Sequence, residues 1–257
     1  MKFTPLQQEQ SFDQILFTSY FIEDVKSFND IIEKYMEFKN NNCLKTIIFT
    51  LDNLDQAEYT TTHAINMHDL DITEGHDLSV LDPVCFENGE HIGYISTPSE
   101  FFIRYQNFIK QTNTISFATA CEKGLTIEED EINLLVKINS FPLEAFDNKI
   151  ILKVIPVKHS YEAFAGFPNG YFASDLNPFE NYAICKHWNQ KYELELFGIG
   201  ASLLGFYRNV PIDNDIAKEI IADLAILYDT EVSRLEKLKS IIINNNFFFI
   251  KYIEYLQ

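Results

Sequence analysis

From residue 150 to 257 the chain alternates two hydrophobic rhythms, and their order restricts the fold more than any other feature. "IILKVIPV" is short, β-branched and apolar, as a buried strand is. "NPFENYAICKHWNQKY" then sets Asn177 at an N-cap, Pro178 at the first helical position and Glu180 at the third, a capping box that predicts a helix. "LELFGIG" and "SLLGFYR" read as two strands with glycines near their junction, the pattern of an antiparallel hairpin. "NDIAKEIIADLAILYDTEVSRLEKLKSIII" is one broken helix or two consecutive ones, with Ile216, Ile220, Leu224 and Leu227 on a core stripe. "NNFFFIKYIEY" closes the chain as a strand.

The order β-α-β-β-α-β is that of a split βαβ unit and predicts a ferredoxin-like domain over 150–257, a four-stranded antiparallel sheet with helices on one face. Residues 1–145 read as a mixed α/β region, so the expected class is α+β with two parts. In the first part, "FIEDVKSFNDIIEKYMEFKNNN" places Val25, Phe28, Ile32, Tyr35 and Met36 on one helical stripe that ends at Asn40 to Asn42. "CLKTIIFTL" predicts a buried strand. "GYISTPSEFFIRYQNFIKQTN" predicts a strand and then a helix, with Thr97, Pro98 and Glu100 as a second capping box and Phe101, Tyr105, Phe108 and Ile109 facing inward. "TISFATA" predicts a strand, while "TIEEDEINLLVKINS" fits helix and strand alike. The turn formers of "NSFPLEAFDNK", 139–149, mark the expected joint between the parts.

Three segments of the second part, "VIPVKHSYEAFAGFPNGYF", "KHWNQKYELEL" and "FYRNVP", resemble the bacterial family described as domain of unknown function 4253. In that family a helix carries a Trp, a Tyr four residues later and then a Glu that opens a strand, positions held here by Trp188, Tyr192 and Glu195, with Pro211 after the hairpin. The chain departs from the pattern at "NGYF", near "LYDTE" and at the closing "FFFIKYIEYLQ". The resemblance implies a boundary near residue 150 and a bacterial origin, and no reaction.

The 257 residues carry a formal charge of -18, which repels phosphate backbones and anionic membrane surfaces, so neither nucleic acid nor membrane is an expected partner. No apolar run approaches the roughly 18 to 20 residues of a spanning helix, and "MKFTPLQQEQSFDQ" has no apolar block of the kind a secretory signal needs. Cys43, Cys85, Cys121 and Cys185 lie far apart without a C-x-x-C pair, as reduced thiols of a cytoplasmic protein do.

The charge is concentrated. From Thr46 to Ile103 there is no Lys or Arg, and eleven carboxylates fall in that span. Within it, "THAINMHDLDITEGHDLSVLDP" holds three of the six histidines. His63 and His68 are five apart, about 140° round a helix, and do not share a face. A loop gathering His68, Asp69, Asp71 and His76 would offer a mixed N/O set to a metal and, with a carboxylate as base, a metal-assisted hydrolase. The other reading is an acidic face, centred on Asp69, Asp71, Glu74, Asp77 and Asp82, that steers a basic partner.

Catalytic motifs are scarce: no G-x-S-x-G elbow, P-loop or dinucleotide fingerprint occurs, and "FGIGASLLG" reads as hairpin packing. Cys185 and His187 point about 100° away from their neighbours on one helix and make no dyad by adjacency, which leaves Trp188 in the core and His187 exposed. His159, Tyr161 and Tyr171 flank an aromatic loop that either forms a contact pocket or covers a sheet edge. The expected protein is therefore a bacterial protein-binding module without cofactor, most concretely an immunity protein or inhibitor that neutralises a basic toxin.

Overall fold

The computed structural model describes residues 1–6, 16–42 and 44–256. Cys43 and most of the opening stretch read against a secretory signal lie outside them. Nine strands and eight α-helices are described: β1 (Lys2–Pro5), β2 (Ser19–Glu23), α1 (Phe28–Asn41), β3 (Thr46–Thr50), α2 (Leu54–Met67), β4 (Phe86–Glu87), β5 (Glu90–His91), α3 (Phe101–Thr112), α4 (Phe117–Cys121), α5 (Glu129–Ser140), β6 (Ile150–Ile155), α6 (Pro178–Tyr192), β7 (Glu195–Ile199), β8 (Leu203–Tyr207), α7 (Asn214–Leu227), α8 (Glu236–Ile242) and β9 (Phe247–Lys251). Both α and β are mixed along the whole chain, so the class is α+β.

One seven-stranded sheet runs in the order β1-β2-β6-β3-β7-β8-β9. Its pairs are antiparallel except β3 with β7, where Phe49 lies opposite Gly198 and Thr50 opposite Ile199. The expected β-α-β-β-α-β succession of 150–257 is present, but its sheet is not the ferredoxin-like one. β3 from the first part sits between β6 and β7, and β9 pairs with β8 instead of with β6. Helices cover both faces, not one. Phe247 and Phe249 of β9 lie against Phe28 of α1, whereas Phe248 between them lies against Trp188 of α6. Successive strand side chains point to opposite faces, so a strand covered on both sides must be apolar throughout. That is why "FFFIK" is continuous and why β3 and β8 are buried at every residue.

The free side of β9 is closed by α5. Asn139 donates through Nδ2 to the carbonyl of Phe249 at 3.0 Å and accepts its N–H through Oδ1 at 2.8 Å, so one amide satisfies both groups an edge strand leaves open. Lys251 Nζ donates to Glu131 Oε1, which also takes the Leu256 N–H, in a site where both side chains are buried. On the α6 side a further layer follows: Phe108 of α3 packs on Phe179 and Tyr182, and Phe117 of α4 stacks on His187. α6 is thus enclosed, and Pro178, Phe179, Tyr182, Ile184, Cys185 and Trp188 are all buried.

The capping boxes at Thr97/Glu100 and Asn177/Glu180 both form, the first opening a turn of 3-10 helix, Pro98–Glu100, that runs into α3. "TISFATA" is no strand: Ser116 takes the Thr119 N–H and starts α4. The strand expected before Thr97 is likewise absent, its place taken by turns with Gly93 at φ +86°. The ambiguous "TIEEDEINLLVKINS" is α5. The 139–149 joint holds the 3-10 turn Pro142–Ala145, and the sheet draws strands from both sides of it.

Candidate functional site

The acidic segment occupies α2 and the loops that carry the chain to α3. Asn53, at φ +43°, takes the Gln56 N–H through its side chain, and Asp147 takes that of Leu54. After α2 the path is set by left-handed residues, Asp69 at φ +53° and Gly75 at +84°, and by two short 3-10 turns. Asp77 accepts the Ser79 N–H at 3.0 Å to open Leu78–Val80, and Asp82 accepts the Val84 N–H at 3.0 Å to open Pro83–Cys85. The β4–β5 hairpin turns on Asn88 and Gly89, at φ +54° and +86°, the two positive angles that such a tight turn demands. Glu100 then anchors the return. Its carboxylate is wholly buried and accepts the N–H groups of Ser96 and Thr97, both at 2.8 Å, with His91 Nε2 at 2.7 Å.

The proposed metal ligands do not converge. His68 packs edge-on against Phe179, and burial holds its imidazole below the ordinary histidine value. Asp71 receives Nε and Nη2 of Arg104, each at 2.7 Å. His76 lies between Gln106 and Asn107, at 3.2 and 2.9 Å. Among the described residues no three of His, Cys, Asp or Glu are grouped to hold a metal ion. The hydrolase reading loses its ligand set, because each residue has been claimed by α3 or α6.

The carboxylates separate into two populations. Asp52, Glu58, Asp71 and Glu100 are buried or half-buried and hold structural partners, whereas Asp55, Asp69, Glu74, Asp77, Asp82, Glu87 and Glu90 are exposed. Of the five residues expected to meet a partner, Asp69, Glu74, Asp77 and Asp82 face solvent, and Asp71 is spent on Arg104. Hydrogen bonds from Ser79 hold Asp77 below the ordinary carboxylate value, so it is anionic at neutral pH. Between these charges stand large apolar side chains that the sequence reading missed: Met67, Val80 and Val84 are 63%, 66% and 65% exposed, and Ile72 and Tyr94 are also open. Single exposed apolar residues need no explanation, but several within one acidic stretch give a surface that mixes charged and apolar groups. Their only sequence signal is that Ile72, Val80, Val84 and Tyr94 interrupt polar loops, while Met67 ends α2.

Below α2 lies a cleft of about 430 Å³ whose lining includes three carboxylates, Asp55, Glu58 and Asp71, and three cations, Arg104, Lys149 and Lys153. Its charges balance, so the negative excess belongs to the outer surface and not to this cleft. No activated nucleophile appears among the described thiols that are shifted. Burial pushes Cys185 far up, and burial followed by the Asp223 charge pushes Cys121 to about 11, the reverse of what thiolate chemistry needs. His187, expected to be exposed, is half-buried: its Nε2 is 3.0 Å from Asp223 Oδ2, which also receives the Tyr192 hydroxyl at 2.8 Å. That cluster ties α6 to α7. His159 stacks on Tyr161 with an interplanar angle of 2°, while Tyr171 leaves them and lies against His63 of α2.

No described helix is long and apolar enough to cross a membrane. No family model, curated protein or solved structure matches the chain. The functional reading is therefore carried by this chain's own residues.

Proposed function

We propose that this is a protein-binding protein whose acidic segment docks a basic partner, most concretely a bacterial immunity protein that neutralises a cationic toxin in the cytoplasm. One observation carries the reading: Asp69, Glu74, Asp77 and Asp82 are exposed on the same stretch of chain as exposed Ile72, Val80 and Val84, with no Lys or Arg between Thr46 and Ile103. Carboxylates of one sign speed encounter with an oppositely charged partner by about tenfold or more at low salt, and a desolvated apolar centre holds the complex once formed. The test is capture of basic proteins on the immobilised protein and on its D69N/E74Q/D77N/D82N variant at low salt, followed by binding kinetics with whatever is retained. The expected result is a partner held by the parent protein, bound about tenfold more slowly by the variant and eluted at high salt. Equal retention and equal salt dependence on both columns would remove the acidic segment from the interface.

A further inference from the structure

On the outer side of α2, Tyr59 and His63 of the helix join Tyr171 and Phe172 of a neighbouring loop in a row of rings. Tyr59 and His63 stand one turn apart with ring centres at 4.2 Å, His63 meets Tyr171 at 4.8 Å, and Tyr171 meets Phe172 at 5.5 Å. The two ends of this ladder are open, Tyr59 at 51% exposure and Phe172 at 48%. Met67, one turn beyond His63, continues the stripe. Elsewhere ammonium groups of the protein lie over ring faces: Lys34 over Phe3, Lys153 over Phe167, Lys186 over Tyr182 and Lys191 over Tyr192. Among the described residues no lysine or arginine lies over Tyr59, Tyr171 or Phe172. Asp55, exposed and one turn before Tyr59, forms no ion pair among the described residues.

We infer that this ladder is a receptor for arginine side chains of the basic partner, an inference that rests on the protein-binding reading above. Ring faces carry a negative quadrupole, so a run of tilted rings with open ends, beside a carboxylate without an ion pair, attracts a cation on both counts. A guanidinium is planar, weakly hydrated and able to stack, whereas an ammonium is a compact and strongly hydrated point charge. The site therefore selects arginine over lysine, and the surrounding carboxylates do not. A second copy of this chain is a poor occupant, because the two acidic segments, each part of a molecule of charge -18, would be brought together.

The probes are fluorescent nona-arginine and nona-lysine, titrated into the full chain, into Y59L/Y171L and into D69N/E74Q/D77N/D82N. Leucine keeps apolar area while deleting the ring faces, and thermal melts establish that each variant is folded. The parent protein is expected to prefer nona-arginine, and Y59L/Y171L to lose about fivefold of that preference while binding nona-lysine as before. The acidic variant is expected to weaken both peptides alike and leave the ratio in place. An arginine-to-lysine ratio that Y59L/Y171L leaves unchanged would overturn the ladder while the acidic reading stands. Failure of the parent protein to bind either peptide at low salt would overturn the acidic reading and the ladder with it. Sedimentation showing a dimer of the parent protein that Y59L/Y171L abolishes would replace the arginine occupant with a second copy.

Discussion

At the scale of the residue, Glu100 shows how a carboxylate counted in the acidic span is withdrawn from it. Burial alone would push its carboxyl up, but the N–H of Ser96, the ring of His91 and the N–H of Thr97 outweigh that and hold it below the ordinary glutamate value. A carboxylate whose pKa falls on folding stabilises the protein above its unfolded pKa, and that contribution is lost as pH drops through the folded value. Urea melts should therefore show the parent protein losing more stability than Glu100→Gln between about pH 5 and pH 3. At neutral pH Glu100→Ala leaves two backbone N–H groups without acceptors and should cost about 2 to 4 kcal/mol. The capping box made Glu100 legible in sequence as an N3 residue. Its full burial and its pairing with His91 were not, because they depend on the β4–β5 hairpin folding back over it.

At the scale of the element, α5 is held to the sheet by polar groups and so offers a clean test. Lys251→Met would strand Glu131 in the core with only N–H donors and should cost about 3 to 5 kcal/mol, whereas E131Q/K251M should cost less than the sum of the single changes. Chemical denaturation of the three variants measures this, and strict additivity would mean the pair is not coupled. α6 makes a different kind of contact. Trp188, the chain's one tryptophan, is fully buried against Phe206 and Phe248, with ring centres at 5.1 and 5.5 Å. Its emission should shift to the red in a single step on unfolding, and Trp188→Ala should cost about 3 to 5 kcal/mol. Both helices have clear caps, but only α6 could be read directly. "TIEEDEINLLVKINS" carries acids in its first turn and apolar residues at spacings that suit either period, and its helix is decided by the docking of Ile132, Leu135 and Ile138 in the core.

At the scale of the whole molecule, the parts of the chain are interleaved. Because β3 lies between β6 and β7, a fragment of residues 150–257 would expose the sides of both strands and lose the α1 cover of β9. Such a fragment should not fold alone: its circular dichroism and amide dispersion should be those of an unfolded chain, while co-expression with 1–149 should restore structure. A well-dispersed spectrum from the fragment by itself would contradict this. The same interleaving places the acidic segment on a rigid support, since α2 follows β3 at the centre of the sheet and α3 packs on the enclosed α6. Within it Asp77 and Asp82 are held by the turns they cap.

The sequence by itself determined what local physics decides. Two-sided strands had to be continuous apolar runs, helices had to start where Asn177 and Thr97 cap them, and a span of fifty-eight residues without Lys or Arg had to be negative. Tertiary structure alone decided which strands became neighbours, because the pairing of β3 with β6 and β7 joins residues about a hundred or more positions apart and leaves no mark on periodicity. It also decided the site. His68, Asp71 and His76 are close in sequence, yet each was drawn to a different partner on α3 or α6, while Tyr59 and Tyr171 were brought onto one face by the packing of a loop against a helix.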